Sequence, residues 1–313
     1  MEPVRRAVID IGTNSIKLLV GEVSDDTVRP VEERSQQTRL GAGFYETHVL
    51  QPGPIEQSAA AVARFVAMAR DAGAQSIRAV ATSAARDAKN ADELLGAVRR
   101  ASGLRVEVIS GDQEAEWVYR GVTSSREFHG RRLLILDVGG GSTEFILGDH
   151  GHHTFRESFP LGSVRLLEML KPGDPPTLHE LAACRDWLAT FLRERIGPTL
   201  EGHLSTGTGE PLTLVGTGGT TTILARMMKR LTTFDRAQID GTRLTHTQVL
   251  ETMLDLWARP LALRRTIPGL PANRADVIIM GAAIYEAVLR HFGLEELNVS
   301  SRGLRFGALL EMP

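Results

Sequence analysis

A repeat constrains this chain more than any other feature. Asp10-Ile-Gly-Thr-Asn-Ser-Ile-Lys-Leu-Leu-Val-Gly aligns without a gap with Asp137-Val-Gly-Gly-Gly-Ser-Thr-Glu-Phe-Ile-Leu-Gly, 127 residues later. Asp10 matches Asp137, Gly12 matches Gly139, Ser15 matches Ser142 and Gly21 matches Gly148. Each copy follows an apolar run and leads into another, which reads as strand, glycine-containing turn, strand. Repetition at about a domain's distance predicts two related domains, each with one such hairpin, facing a shared cleft.

The length agrees, since 313 residues hold about two domains and can bury a core without disulfide or metal staples. The net charge of -2 excludes a globally basic nucleic-acid binder and still permits a local basic groove. One cysteine, Cys184, allows no intrachain disulfide and suits a reducing compartment. The start, Met-Glu-Pro-Val-Arg-Arg, lacks an apolar leader, and the apolar run at 277–283 is too short for a bilayer. The expectation is a soluble cytoplasmic protein that binds neither nucleic acid nor membrane.

Strand-like runs at 77–82, 106–109, 133–136, 144–147 and 213–215 alternate with helical spacing at 55–72, 91–101, 178–195 and 276–292, which makes the class α/β. Ser110 is placed to cap a helix reaching about Gly121. Thr177 with Glu180 and Thr245 with Gln248 have the spacing of capping boxes. The expected domains are 1–124 and 125–299, with 300–313 returning to the first.

The hairpins have readable chemistry. Glycines let backbone approach a ligand closely, and successive N–H groups in such turns make an anion-binding concavity. Gly12, Thr13, Asn14, Ser15 and Lys17 in the first copy, and Gly139, Gly140, Gly141, Ser142 and Thr143 in the second, are the candidate phosphate-binding residues. Asp10 and Asp137 close their strands, where one or two carboxylates with phosphate oxygens suit Mg²⁺. Gly216, Thr217, Gly218 and Gly219 form a third loop between a strand and a helix start, a favoured place for phosphate. His150, His152 and His153 read as a polar turn. Cys184, Trp117, Tyr119, Trp187 and Trp257 read as helix-packing residues. Nine basic against four acidic residues between 226 and 274 mark a basic stretch that could track a long anion.

Three such loops resemble the actin, sugar-kinase and chaperone-ATPase superfamily, which implies two similar actin-like (ribonuclease H-like) domains flanking a central cleft. Four further segments narrow the resemblance to the exopolyphosphatase / pppGpp phosphohydrolase (Ppx/GppA) family. They are 81–90 (ATSAARDAKN), 109–116 (ISGDQEAE), 267–278 (IPGLPANRADVI) and 300–307 (SSRGLRFG). The match spans essentially the whole chain and resembles the short, two-domain form of the family.

The resemblance implies hydrolysis of the terminal phosphoanhydride of inorganic polyphosphate, with pppGpp 5′-phosphohydrolysis or both activities as the alternative. Glu114 takes the place of the family's catalytic glutamate. The acidic residue common just before it is Gln113 here, which leaves Glu116 as second candidate. Asp137 and Glu144 join Glu114 as catalytic candidates, and Asp10, Asp137 and Glu144 are the expected ligands of Mg²⁺. Arg86, Arg302 and Arg305 lie in family segments and are expected on the substrate. Activation by K⁺ and a homodimer are compatible with the family. A sugar kinase and an actin-like nucleotide binder without hydrolase activity are the other readings, and the 109–116 and 300–307 segments disfavour the kinase.

Overall fold

The computed structural model describes residues 3–149, 151–205 and 210–312. Two units emerge from it. The first comprises Met1–Arg126, Gly140–Ser142 and Arg302–Pro313, and the second Glu127–Gly139 and Thr143–Ser301.

In the first unit, β1 (Val4–Ile11) and β2 (Ser15–Ser24) form the expected hairpin, and both are buried over most of their length. β3 (Thr27–Gln37) is polar, and all its residues but Val28 are exposed or half-buried, as an edge strand should be. Helices α1 (Pro52–Asp71), α2 (Ser83–Arg86) and α3 (Ala91–Ser102) surround β4 (Ser76–Ala81) and precede β5 (Val106–Val108) and α4 (Gly111–Thr123). The sheet order is β3-β2-β1-β4-β5, with β1, β4 and β5 parallel. The core packs Ile9, Ile11, Leu18 and Val20 of the sheet against Val62, Phe65 and Val66 of α1. Gly103 ends α3 in the left-handed conformation.

The second unit repeats that order. β6 (Leu133–Val138), β7 (Thr143–Asp149) and β8 (His152–Phe159) form an antiparallel meander. α5 (Ser163–Leu170) follows, then α6 (Leu178–Phe191), which passes through a π-helical segment, Leu192–Ile196, into α7 (Gly197–Ser205). β9 (Thr213–Thr217) runs parallel to β6 and leads into α8 (Gly218–Lys229). After α9 (Arg236–Ile239), β10 (Arg243–Thr245), α10 (His246–Ala258), α11 (Leu261–Arg264) and α12 (Ile278–His291), β11 (Glu296–Val299) pairs with β9. The sheet order is β10-β11-β9-β6-β7-β8. Read from β8, it is the first unit's order with β10 added at one edge. The C-terminal helix α13 (Leu304–Glu311) belongs to the first unit.

The local signals act as the spacing predicts. Ser110 accepts the Gln113 N–H at the start of α4, and both capping boxes form. The apolar run at 277–283 opens α12, a helix buried from Ile278 to Leu289. Trp117, Tyr119, Trp257 and Cys184 are buried, and burial pushes the Cys184 thiol up to about 12, where it is an inert packing group. Trp187 stacks on Phe191. Gly151 and His152 lie in the turn and first position between β7 and β8, whereas His150 lies outside the described residues. No helix among the described residues is long and apolar enough to cross a membrane.

Candidate active site

In the first unit, Asp10 sits near the end of β1, directly opposite Lys17 on β2. Its carboxyl is buried and its Oδ1 has no hydrogen-bond partner. Burial holds the Asp10 carboxyl above its ordinary value, while the charges of Lys17 and Arg305 act the other way. The connecting turn closes with the Gly12 N–H donating to the Ser15 carbonyl at 3.1 Å. The carbonyls of Thr13 and Asn14 accept from Gly41 and from Thr38 and Arg39. Thr13, Asn14 and Ser15 are therefore buried, and what this turn offers a ligand is backbone more than side chain.

The hairpin tip 140–142 belongs to this unit. A Cβ on Gly141 would meet Tyr45 Oη, Ser83 Oγ and Thr13 Oγ1. Three hydroxyls thus crowd the place that a side chain at 141 would take. Ser83 and Tyr45 escaped the sequence reading. Ser83 stands inside the 81–90 segment and could have been found there, but no pattern around Tyr45 marks it.

Glu114 occupies the first turn of α4, with its side chain buried. It is not the solvated first-turn carboxylate that a helix N-terminus ordinarily carries. Its Oε2 accepts from Arg86 Nη1 at 3.0 Å, and the same nitrogen donates to the Ile109 carbonyl at 3.0 Å. Arg86 ends the short helix after β4, so the 81–90 segment delivers the cation that holds the carboxylate. Arg86, expected on the substrate, also bonds to the candidate base through one of its nitrogens. Glu116, the second candidate, sits 3.8 Å from Arg120 one turn along the same helix. Arg302 donates to Ser124 Oγ and lies over the Phe306 ring. Arg305 donates to the Leu18 carbonyl at 2.7 Å and approaches Glu33 at 3.7 Å. Both of these arginines therefore carry contacts within the unit.

In the second unit, Asp137 and Glu144 are directly opposed across β6 and β7. This is the place that Asp10 and Lys17 hold in the first hairpin, so the repeat puts a second carboxylate where the first copy has a cation. Like charges directly opposed in a sheet are unfavourable without a cation between or beside them. Glu144 is buried and accepts from Ser158 Oγ at 2.7 Å. No group of three or more His, Cys, Asp or Glu residues capable of holding a metal by themselves exists among the described residues. A pair of carboxylates instead fits an ion such as Mg²⁺, which takes one or two carboxylates and completes its shell with water and phosphate oxygen.

The third loop lies beside this pair. Thr217 is in parallel register with Asp137, and Gly218 follows it with φ +84°. A Cβ on Gly218 would fall on Asp137 Oδ1. Gly216, the strand residue before Thr217, has its carbonyl taken by the Ser300 N–H, and Gly219 has nothing within 4 Å of its Cβ position. Gly139 has its carbonyl held by Ser163, and Thr143 Oγ1 donates to the Leu161 carbonyl. Tyr285, from the buried face of α12, bonds to Thr221 Oγ1 and to the carbonyls of Leu136 and Thr217 at 3.2 and 3.3 Å. It ties the ends of β6 and β9 together, and burial pushes its phenol well above the usual range. Sequence reading missed Tyr285 because an apolar helix conceals one hydroxyl.

Five cations of the basic stretch are committed within the unit. Arg226 donates to the Leu231 and Thr232 carbonyls, Lys229 to the Gln238 carbonyl and Arg236 to Ser301, while Arg259 pairs with Asp255 and Arg264 with Asp174. At those positions the stretch makes fold contacts within the unit.

The model of the Ppx/GppA phosphatase family matches residues 4–313. Exopolyphosphatase 2 of Mycobacterium tuberculosis is 33% identical over 331 residues, covering 100% of this chain and 99% of the relative. Guanosine-5′-triphosphate,3′-diphosphate pyrophosphatase of Aeromonas hydrophila is 30% identical over 304 residues, covering 97% of this chain and 58% of the relative. Among solved structures, the Aquifex aeolicus PPX-GPPA enzyme superposes with a TM-score of 0.79 at 32% identity, covering 99% of this chain and 100% of that one.

Proposed function

Because the chain belongs to the Ppx/GppA phosphatase family, we propose that it is an exopolyphosphatase, which releases orthophosphate from the end of inorganic polyphosphate in the cytoplasm. The whole-length similarity to an exopolyphosphatase supports the substrate class. The observation that carries the chemistry is Glu114, a carboxylate withdrawn from solvent and held by one arginine nitrogen.

Phosphoryl transfer asks a protein for positioning and charge neutralisation more than for covalent chemistry. Backbone amides of 13–15 and 139–142 would cradle phosphate oxygens, with the Thr13, Ser83 and Tyr45 hydroxyls around Gly141 as further donors. Asp137 and Glu144 would hold Mg²⁺. Such an ion, when bound, neutralises charge developing on the phosphoryl group. Glu114 would orient a water and take its proton as the water oxygen bonds to the terminal phosphorus. The bond from that phosphorus to the bridging oxygen breaks, and the shortened chain leaves with its electron pair. A base of this kind contributes about 10²–10⁴-fold. Arg86 keeps the carboxylate aimed.

The pppGpp 5′-phosphohydrolase reading uses the same groups and is favoured by the similarity to the Aeromonas pyrophosphatase. One panel separates the two. Polyphosphate of several lengths, pppGpp, ATP and GTP are each offered with Mg²⁺, and phosphate release is measured for the parent and for Glu114→Gln. Release from long polyphosphate, lost by about 10² or more in the variant, is expected. Release from pppGpp alone would transfer the assignment, and an undiminished variant would remove Glu114 from the mechanism.

A further inference from the structure

The 300–307 segment contains two glycines, and nothing in the proposed chemistry uses them. A Cβ on Gly121 of α4 would fall on the carbonyl group of Gly303. A Cβ on Gly307 of α13 would fall on the carbonyl group of Trp117 of α4. In both places the obstructing atoms are backbone O, C and Cα, so no side-chain rotation can relieve them.

The contacts form a matched pair. Residues 117 and 121 are one turn apart on α4, and 303 and 307 are one turn apart in the C-terminal segment. Each element thus supplies one glycine and one carbonyl to a close backbone approach. Side chains fix the sliding of one element along the other. Arg302 Nη1 donates to Ser124 Oγ at 3.2 Å, and Arg120 Nη1 to Glu311 Oε2 at 3.3 Å. Arg78 lies over the Trp117 ring at 5.3 Å and 3.9 Å from Glu311.

Glu114 precedes Trp117 by three residues, about 4.5 Å along the helix axis. A helix transmits displacement over that distance with little loss, so whatever sets Trp117 sets Glu114. We propose that α13 is the gauge for the candidate base, and that Gly121 and Gly307 are positioning residues acting through α4. This rests on the reading of Glu114 as the residue that activates water. It gives a physical reason for a segment from the far end of the sequence to pack in the first unit.

Gly307→Ala tests it. An ordinary C–H···O separation of about 3.3–3.6 Å for the added Cβ requires α4 and α13 to part by more than about 1 Å. A misplacement of that size lowers turnover by about 10²-fold. The expected result is a fall in kcat of about 10- to 100-fold with KM within about twofold, because the backbone amides and hydroxyls proposed to hold the phosphates lie outside α4 and α13. The decisive readout is a double-mutant cycle with Glu114→Gln, assayed on whichever of polyphosphate and pppGpp the parent hydrolyses. If α13 acts through Glu114, Gly307→Ala lowers kcat by less than about twofold in the Glu114→Gln background. Full additivity overturns the proposal and leaves Glu114 in place. An unimpaired Glu114→Gln overturns both. Should Gly307→Ala fail to fold, Phe306→Leu loosens the buried side of α13 without adding volume, and the same cycle applies. For it a smaller fall in kcat at constant KM, again absent in the Glu114→Gln background, is expected, and an equal fall in both backgrounds overturns the proposal.

Discussion

Gly218 and Gly219 are neighbours in one loop, and their alanine variants are expected to behave oppositely. At Gly218 two terms act. The residue sits at φ +84°, where an L side chain costs about 1–2 kcal/mol. Its Cβ would also fall on Asp137 Oδ1, with Asp137 Cγ at 3.2 Å. To reach an ordinary carbon–oxygen separation of about 3.3–3.6 Å the carboxylate must retreat by about 1 Å. That removes it from its place opposite Glu144, and a misplacement of this size lowers turnover by about 10²-fold, or about 2.7 kcal/mol. At Gly219 the Cβ position is open, alanine keeps the backbone N–H, and the first turn of α8 gains up to about 1 kcal/mol in helix propensity. The assay is phosphate release against substrate concentration, with a thermal melt on the same samples. Gly218→Ala should lose about 10² in kcat/KM and melt a few degrees lower. Gly219→Ala should melt at or above the parent and keep its turnover. If the two variants share the same kcat/KM, the carboxylate at 137 is not held by the glycine beside it, and the reasoning fails.

Arg86→Ala removes the arginine partner of a buried carboxylate, so kcat should fall together with stability, the latter by about 1–3 kcal/mol. Arg86→Lys keeps the charge but cannot span the Ile109 carbonyl and Glu114 in the same geometry, so denaturant unfolding and kinetics should place it between the parent and Arg86→Ala; a fully active Arg86→Ala refutes the pairing role. Asp10 predicts a pH effect of definite sign. The folded protein holds its proton to a higher pH than the unfolded chain, whose carboxyl titrates near 3.8, so stability from this group falls as pH rises from there through the folded value. Above both values the ionised carboxylate is a burden. Asp10→Asn should therefore be more stable than the parent at pH 7, by about 1–3 kcal/mol, with the gap closing towards pH 4, while losing activity. Urea titrations at the two pH values check this, and a variant less stable at pH 7 contradicts it.

The sequence by itself determined the class, the repeated hairpin and the starts of the main helices. Those depend on interactions within a few residues: the period of apolar positions, the Ser110 cap, the two capping boxes and the glycines at 12 and 139. It also carried the family, because that resemblance lies in short contiguous segments. What it could not supply is which side chains meet. Arg86 is 28 residues from Glu114, and Tyr285 is 149 from the Leu136 carbonyl it holds. Periodicity has no term for such contacts, so the pairing of Arg86 with Glu114 is invisible in it and Tyr285 reads as one more residue of an apolar helix. The contacts of the basic stretch are hidden for the same reason, since a charge count cannot see that Asp174 pairs with Arg264 or that the Gln238 carbonyl accepts from Lys229. The opposed carboxylates at 137 and 144 stand between the two cases. Both residues are visible in the repeat, but only the strand register sets them face to face and gives them a reason to hold a cation.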